Sequence, residues 1–224
     1  MDFSSIAAIT AAERAEIIER HRAAGVRIPC ADGVIIAPSV EIEADTLLLP
    51  GTILLGETRI GRGCVIGPNS ILHSCTLGDG CQLEHVQGEQ ASLGADCALG
   101  PYVRLRPGTV LGAGLRIGNF VEIKNASIGD GTKIAHLSYI GDADFGANIN
   151  VGCGLAVANY DGRQKHRTTV GDSAFIGCHN ALVAPVSVGA GAYTAAGSVI
   201  TQDVPEDGFA IARARQVNKD KRGS

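Results

Sequence analysis

The sequence predicts an all-β chain wound into a parallel β-helix behind one short N-terminal helix, and three observations carry that prediction. The first is a period. Aliphatic residues recur every six positions at Ile36, Ile42, Leu48, Leu54, Ile60, Ile66 and Leu72, then at Leu77 and Leu83, then from Leu93 through Leu99, Leu105, Leu111 and Ile117 to Ile123. Later series take in Ile128, Ile134 and Ile140, then Val151 and Val157, then Val170, Ile176, Leu182, Val188, Thr194 and Ile200. The second is composition. Aromatics make up 4% of 224 residues, Trp is absent and the only Met is Met1, yet there are 30 Gly. A core without aromatic bulk must be filled by Ile, Leu, Val and Ala in many thin layers, as repeat architectures do. The third is the Gly that often follows the aliphatic, as in Ile60-Gly61, Ile117-Gly118 and Ile176-Gly177, which suits sharp corners.

A period of six is neither helical nor a strand alternation. It fits a triangular coil in which each flat side is one short strand with its aliphatic pointing inward. Three sides make a coil of about eighteen residues, and stacked coils bury what one coil cannot.

Residues 1–33 are expected to form an N-terminal segment and helix, with 1–9 a loose lead-in. Thr10-Ala11-Ala12-Glu13 fits a capping box, and Gly25 suits a helix stop. The short stripe Ala15, Ile18, His21 and Arg22 should lie over the first coil. The β-helix should run over 34–213, followed by a basic tail at 214–224.

A formal net charge of −4 points away from a nucleic-acid or membrane partner. No apolar run is long enough to span a bilayer, and the expected location is the cytoplasm. The seven Cys lack a CxxC pair and read as reduced small hydrophobes. The histidines form no evident triad, so no metal site is expected.

Interruptions of the period are where function is expected. Steps shorten to five between Ile123 and Ile128 and between Ile140 and Phe145. Between Val157 and Val170 the spacing opens, ejecting a basic loop over 158–169, either a solvated insertion or an arm for an anionic ligand. A further irregularity at Val86–Gln90 suggests no chemistry. Arg106 and Lys124 are eighteen apart and should stack on one side, as surface charge or as a phosphate site.

The stretches Arg104-Leu105-Arg106-Pro107-Gly108, Gly118-Asn119-Phe120-Val121-Glu122-Ile123-Lys124, His136-Leu137-Ser138-Tyr139-Ile140-Gly141-Asp142-Ala143 and Asn159-Tyr160-Asp161-Gly162 resemble the acetyltransferase half of the bifunctional glucosamine-1-phosphate acetyltransferase/N-acetylglucosamine-1-phosphate uridylyltransferase family. The resemblance is strongest over 99–213. It implies a left-handed parallel β-helix of hexapeptide repeats and a homotrimer with active sites between subunits. It also implies acetyl transfer from acetyl-coenzyme A to the 2-amine of glucosamine-1-phosphate, without a metal. On it, His136 matches the general base and Glu122 a carboxylate that orients or polarises the imidazole. Arg106 and Lys124 match sugar-phosphate contacts, and Tyr139, Asn150 and Lys165 further acceptor-sugar contacts. Asn159, Tyr160, Ala196 and Arg213 match coenzyme contacts, with Cys153 and Cys178 on the same side where the family often has Ala and Ser. No nucleotidyltransferase motif occurs, so UDP-sugar formation would fall to a separate uridylyltransferase. Two rivals stand beside this expectation: transfer to another amino sugar or a nucleotide-linked one, and a non-catalytic scaffold or regulatory subunit.

Overall fold

The structure is a computed structural model that describes residues 9–219. Most of the expected lead-in, and the end of the expected tail with Lys221 and Arg222, lie outside the described residues. The chain enters through helix α1 (Ala11–Ala23). Thr10 Oγ1 accepts from the Glu13 amide at 3.2 Å and Glu13 Oε2 accepts from the Thr10 amide at 2.8 Å, which completes the capping box. The buried stripe is Ile17, Ile18 and His21; Ala15 and Arg22, expected on it, are exposed. The reason is Arg14, which shares that i, i+3, i+4, i+7 face. Its guanidinium donates to the carbonyl oxygens of Val34 (2.7 Å) and Ala31 and so turns α1 onto the first coil.

His21 is 5% exposed and its Nε2 has no partner among the described residues. Burial, helped by the neighbouring Arg20 charge, lowers its pKa. The unfolded chain therefore takes up the proton first, and stability is lost as pH falls below about 6.5, the ordinary histidine value. The melting temperature should drop from pH 7 to pH 5 and the drop should shrink in His21→Leu. An identical slope in both proteins would remove His21 from the account.

Beyond α1 the chain is a continuous parallel solenoid. Ile35 pairs with Ile53 and Ile53 with Ile71 on one side, Glu41 with Arg59 on the second, and Leu47 with Val65 on the third. The inward aliphatics form columns such as Leu105–Ile123–Ile140, each residue at most 1% exposed. The irregularity at Val86–Gln90 has a packing cause. Gly88 takes an aliphatic's place between Leu72 and Leu105, and a Cβ there would meet Leu72 and the Cys75 sulfur. Cys64, Cys81 and Cys97 stand at successive rungs of one column, buried, with each sulfur 3.2–3.3 Å from a glycine carbonyl oxygen. All seven thiols are free, with Cys153 partly accessible and Cys178 exposed.

The two shortened steps lie in two 13-residue strands, Arg116–Ile128 and Lys133–Phe145, each running over two corners without a break. Because both coils are shortened alike, they stay in register: Asn119 faces His136, Glu122 faces Tyr139 and Lys124 faces Gly141. After them the ejected loop lengthens one coil, and Asp144 faces Thr169. None of the described helices is long and apolar enough to cross a membrane.

Candidate active site

The side that carries Val121–Ile123 and Ser138–Ile140 has a functional group at each edge. At one edge the chain turns through Asn119-Phe120 and, one rung on, through His136-Leu137. Phe120 and Leu137 are both left-handed (φ 59° and 47°), a conformation rare for bulky residues. Here it occurs at the turns beside Asn119 and His136. His136 is exposed, and its Nδ1 lies 2.8 Å from Asn119 Oδ1. An amide oxygen only accepts, so in the neutral ring this bond puts the imidazole proton on Nδ1 and leaves Nε2 with a free lone pair. The expected partner, Glu122, is engaged elsewhere: its Oε1 accepts from Arg106 Nη1 at 2.9 Å.

At the other edge cations gather. Arg106 donates its backbone N–H to Ile123 and so lies alongside Lys124, as the eighteen-residue spacing led one to expect. Lys165 reaches back from the loop against Lys124. Its proximity pushes the Lys124 ammonium below the ordinary lysine range; partial burial and Arg106 add to this and Asp142 opposes it. Like charges held this close favour an anion between them.

The basic loop is tied down. Asp161 accepts from the backbone N–H groups of Arg163 (2.7 Å) and Gln164 (2.8 Å), and its Oδ2 lies 2.8 Å from His166 Nε2. These contacts, the Gln164 backbone bond first and the His166 bond next, hold the Asp161 carboxyl at about 2. Arg167 anchors the return, donating Nε to Asp144 Oδ2 at 2.8 Å and Nη2 to the Ala143 carbonyl at 3.0 Å. The loop root rests on Asp142, whose carboxylate takes Nδ2 of Asn125 at 2.6 Å and Nδ2 of Asn159. The Asn159 amide also lies 3.5 Å from the Tyr139 hydroxyl. Gly141 makes room for both, since a Cβ there would collide with the Tyr139 phenol and the Asn159 amide.

The other expected residues fall into separate places. Cys153, Cys178 and Ala196 continue the His136 column rung by rung, as the successive pairings of Ile134 with Val151, Val151 with Ile176 and Ile176 with Thr194 require. Two thiols and a methyl group thus form a strip of small side chains that continues the imidazole's column. Asn159, Tyr160 and Lys165 belong to the opposite edge. Asn150 lies on another side, between Lys133 and Phe175, and Arg213 is exposed beyond the last strand. One chain therefore does not gather all the expected residues around a single point.

Two family models match the chain: bacterial transferase hexapeptide (six repeats) over residues 39–74, and hexapeptide repeat of succinyl-transferase over 167–202. The bifunctional protein GlmU of Geobacillus sp. strain WCH70 is 48% identical over 92% of the chain, and that of Brevibacillus brevis strain 47 is 49% identical over 91%. The chain belongs to the hexapeptide-repeat transferases, as a relative of GlmU. It spans 45% and 44% of the length of those two GlmU proteins. Outside GlmU, a Francisella novicida UDP-N-acetylglucosamine acyltransferase structure shares 19% identity over 83% of this chain and 66% of its own, with a TM-score of 0.50. That likeness concerns the fold.

Asn119 and Asp142 are the residues the sequence reading passed over in this GlmU relative. Both carried a signal. Asn119–His136, Asn125–Asp142 and Ser127–Asp144 are polar pairs seventeen apart, the length of a coil that contains one five-residue step.

Proposed function

We propose that the chain transfers acetyl from acetyl-coenzyme A to the 2-amine of glucosamine-1-phosphate, on the route to UDP-N-acetylglucosamine. The observation that carries this is the pairing of an imidazole with free Nε2 at one edge of a side with the Arg106–Lys124–Lys165 group at the other. An amino-sugar phosphate needs both. Its ammonium must lose a proton before the nitrogen can attack, and Nε2 of His136 accepts that proton. The nitrogen then adds to the thioester carbonyl; as the C–S bond breaks, coenzyme A leaves as its thiolate and takes up the second N–H proton, giving the amide and the free thiol. The cations fix the phosphate and thereby aim the amine. The Cys153–Cys178–Ala196 strip is the path for the coenzyme's arm.

Outer faces of a prism diverge, so Asn150 and the Asn159–Tyr160 edge cannot close on one ligand from a single chain. A second copy brings one chain's His136 column against another chain's loop edge. The exposed apolar turn beside His136 fits that role: Tyr102 and Phe120 stack at 5.5 Å with planes 3° apart, and Leu137 follows, all more than half exposed. A homotrimer with sites between subunits meets these demands.

A thiol-release assay with acetyl-coenzyme A and a panel of glucosamine-1-phosphate, glucosamine and a nucleotide-linked amino sugar tests the proposal. Turnover should be highest with glucosamine-1-phosphate. Preference for the nucleotide-linked sugar would move the acceptor, and absence of turnover with all three would favour a scaffold. The product would be an N-acetylated sugar phosphate, the substrate of a uridylyltransferase.

A further inference from the structure

Asp142 is the most buried carboxylate near the loop, 5% exposed, yet it has no role in the scheme above. Its position is unusual for a corner residue. It sits at the left-handed turn after Ile140-Gly141 (φ 49°), between Asn125 on the rung below and Asn159 at the root of the loop. Lys124 and Lys165 lie close enough to act on it electrostatically. A carboxylate can only accept hydrogen bonds, whereas an Asn side chain presents a donor face and an acceptor face. Two amides that meet one carboxylate must both turn their NH2 groups inward. For Asn159, which is 8% exposed, this leaves Oδ1 pointing away from Asp142, and nothing among the described residues donates to it.

We infer that Asp142 is a positioning residue: it locks the Asn159 amide so that Oδ1 faces the site as a hydrogen-bond acceptor for a ligand N–H, of the kind carried by the amides of a pantetheine arm. The same contact pins the start of the ejected loop, one residue before Tyr160. Burial alone would raise the Asp142 pKa, but the two amide bonds and the two lysines outweigh it and lower the pKa, so the acceptor-only ionised form is the one present at neutral pH. The ligand part of this inference rests on the acetyl-coenzyme A reading; the locking of the amide does not.

The test is Asp142→Asn, which keeps shape and removes one acceptor. The substituted side chain cannot accept from two NH2 groups through its single oxygen without presenting its own NH2 to one of them, so one neighbouring amide must turn over. Expected is a KM for acetyl-coenzyme A raised roughly 10-fold, as for loss of one hydrogen bond. The KM for glucosamine-1-phosphate should stay within about twofold or fall, because the cation group has lost a negative neighbour. A merely structural role would raise both constants together or lower kcat alone, and either result overturns the inference. Backbone amide exchange over Asn159–His166 is read in the same protein without ligand and should quicken in Asp142→Asn while the coils stay protected. Unchanged exchange counts against the lock whatever the kinetics. If the unsubstituted chain acetylates nothing, the functional reading fails while the exchange result still decides the lock. Should Asp142→Asn not fold, the exchanged pair Asp142→Asn/Asn159→Asp restores one donor facing a carboxylate. It should recover both folding and loop protection, and failure to do so would refute the pairing.

Discussion

His136→Ala should lower kcat for acetyl transfer by ~10²–10⁴, the usual worth of a positioned general base, while both KM values change by no more than about threefold. The split follows from the geometry. His136 stands on an exposed corner, held from behind by Asn119. It supports no core contact, and the cations that would hold the phosphate are at the far edge of the same side. Removing the imidazole deprives the amine of its proton acceptor without disturbing the substrate's anchor. Steady-state kinetics with each substrate varied in turn measures this. Asn119→Ala belongs to the same experiment. It frees the ring to rotate and to carry its proton on either nitrogen, so kcat should fall by less than in His136→Ala. A His136→Ala enzyme that keeps full kcat would end the general-base assignment. An Asn119→Ala enzyme as inactive as His136→Ala would mean that Asn119 itself touches the reacting atoms.

The architecture was legible because the solenoid repeats one physical problem. Every rung must bury an aliphatic on each side, so Leu105, Ile123 and Ile140 announce their column through spacing alone. The stacking of Arg106 and Lys124 was legible for the same reason, as both lie in a coil of regular length. The partner of His136 was not. Asn119 is seventeen residues away, and a search at eighteen passes over it to Gly118. Glu122, the carboxylate expected to orient the imidazole, sits one rung below Tyr139 and beside Arg104 and Arg106. An ion pair with arginine is the stronger claim on it. Asp142 was hidden differently. In Ile140-Gly141-Asp142 it reads as one more turn residue of the repeat, and only the ejected loop returning to that corner gives it a second neighbour, Asn159. Charge density marked the loop as a solvated insertion or an arm for an anionic ligand, and showed nothing of the internal bonds of Asp161 and the Arg167–Asp144 pair that hold it in place. Those bonds join residues whose pairing no period governs.

Arg106→Ala should raise the KM for glucosamine-1-phosphate by ~10–100-fold, consistent with loss of a charge-assisted contact, and leave the KM for acetyl-coenzyme A within about twofold. Lys124→Ala should act in the same direction but less strongly, and the difference lies in Glu122. Arg106 holds the Glu122 carboxylate at 2.9 Å, and both side chains are about one third exposed. Without Arg106 that carboxylate is left facing the phosphate, so the substitution removes an attraction and adds a repulsion. Lys124 has no such dependant. Its charge is already disfavoured by Lys165, and its loss relieves Lys165 as well as weakening the site. Adding Glu122→Gln to Arg106→Ala should therefore recover part of the lost affinity, whereas adding it to Lys124→Ala should recover little. If Glu122→Gln rescued neither, or if glucosamine without phosphate lost affinity in the same proportion, the group would not be a phosphate site. Measuring phosphorylated and unphosphorylated acceptors in all five proteins separates the charge of the ligand from its sugar ring, which is the distinction on which the assignment of this edge depends.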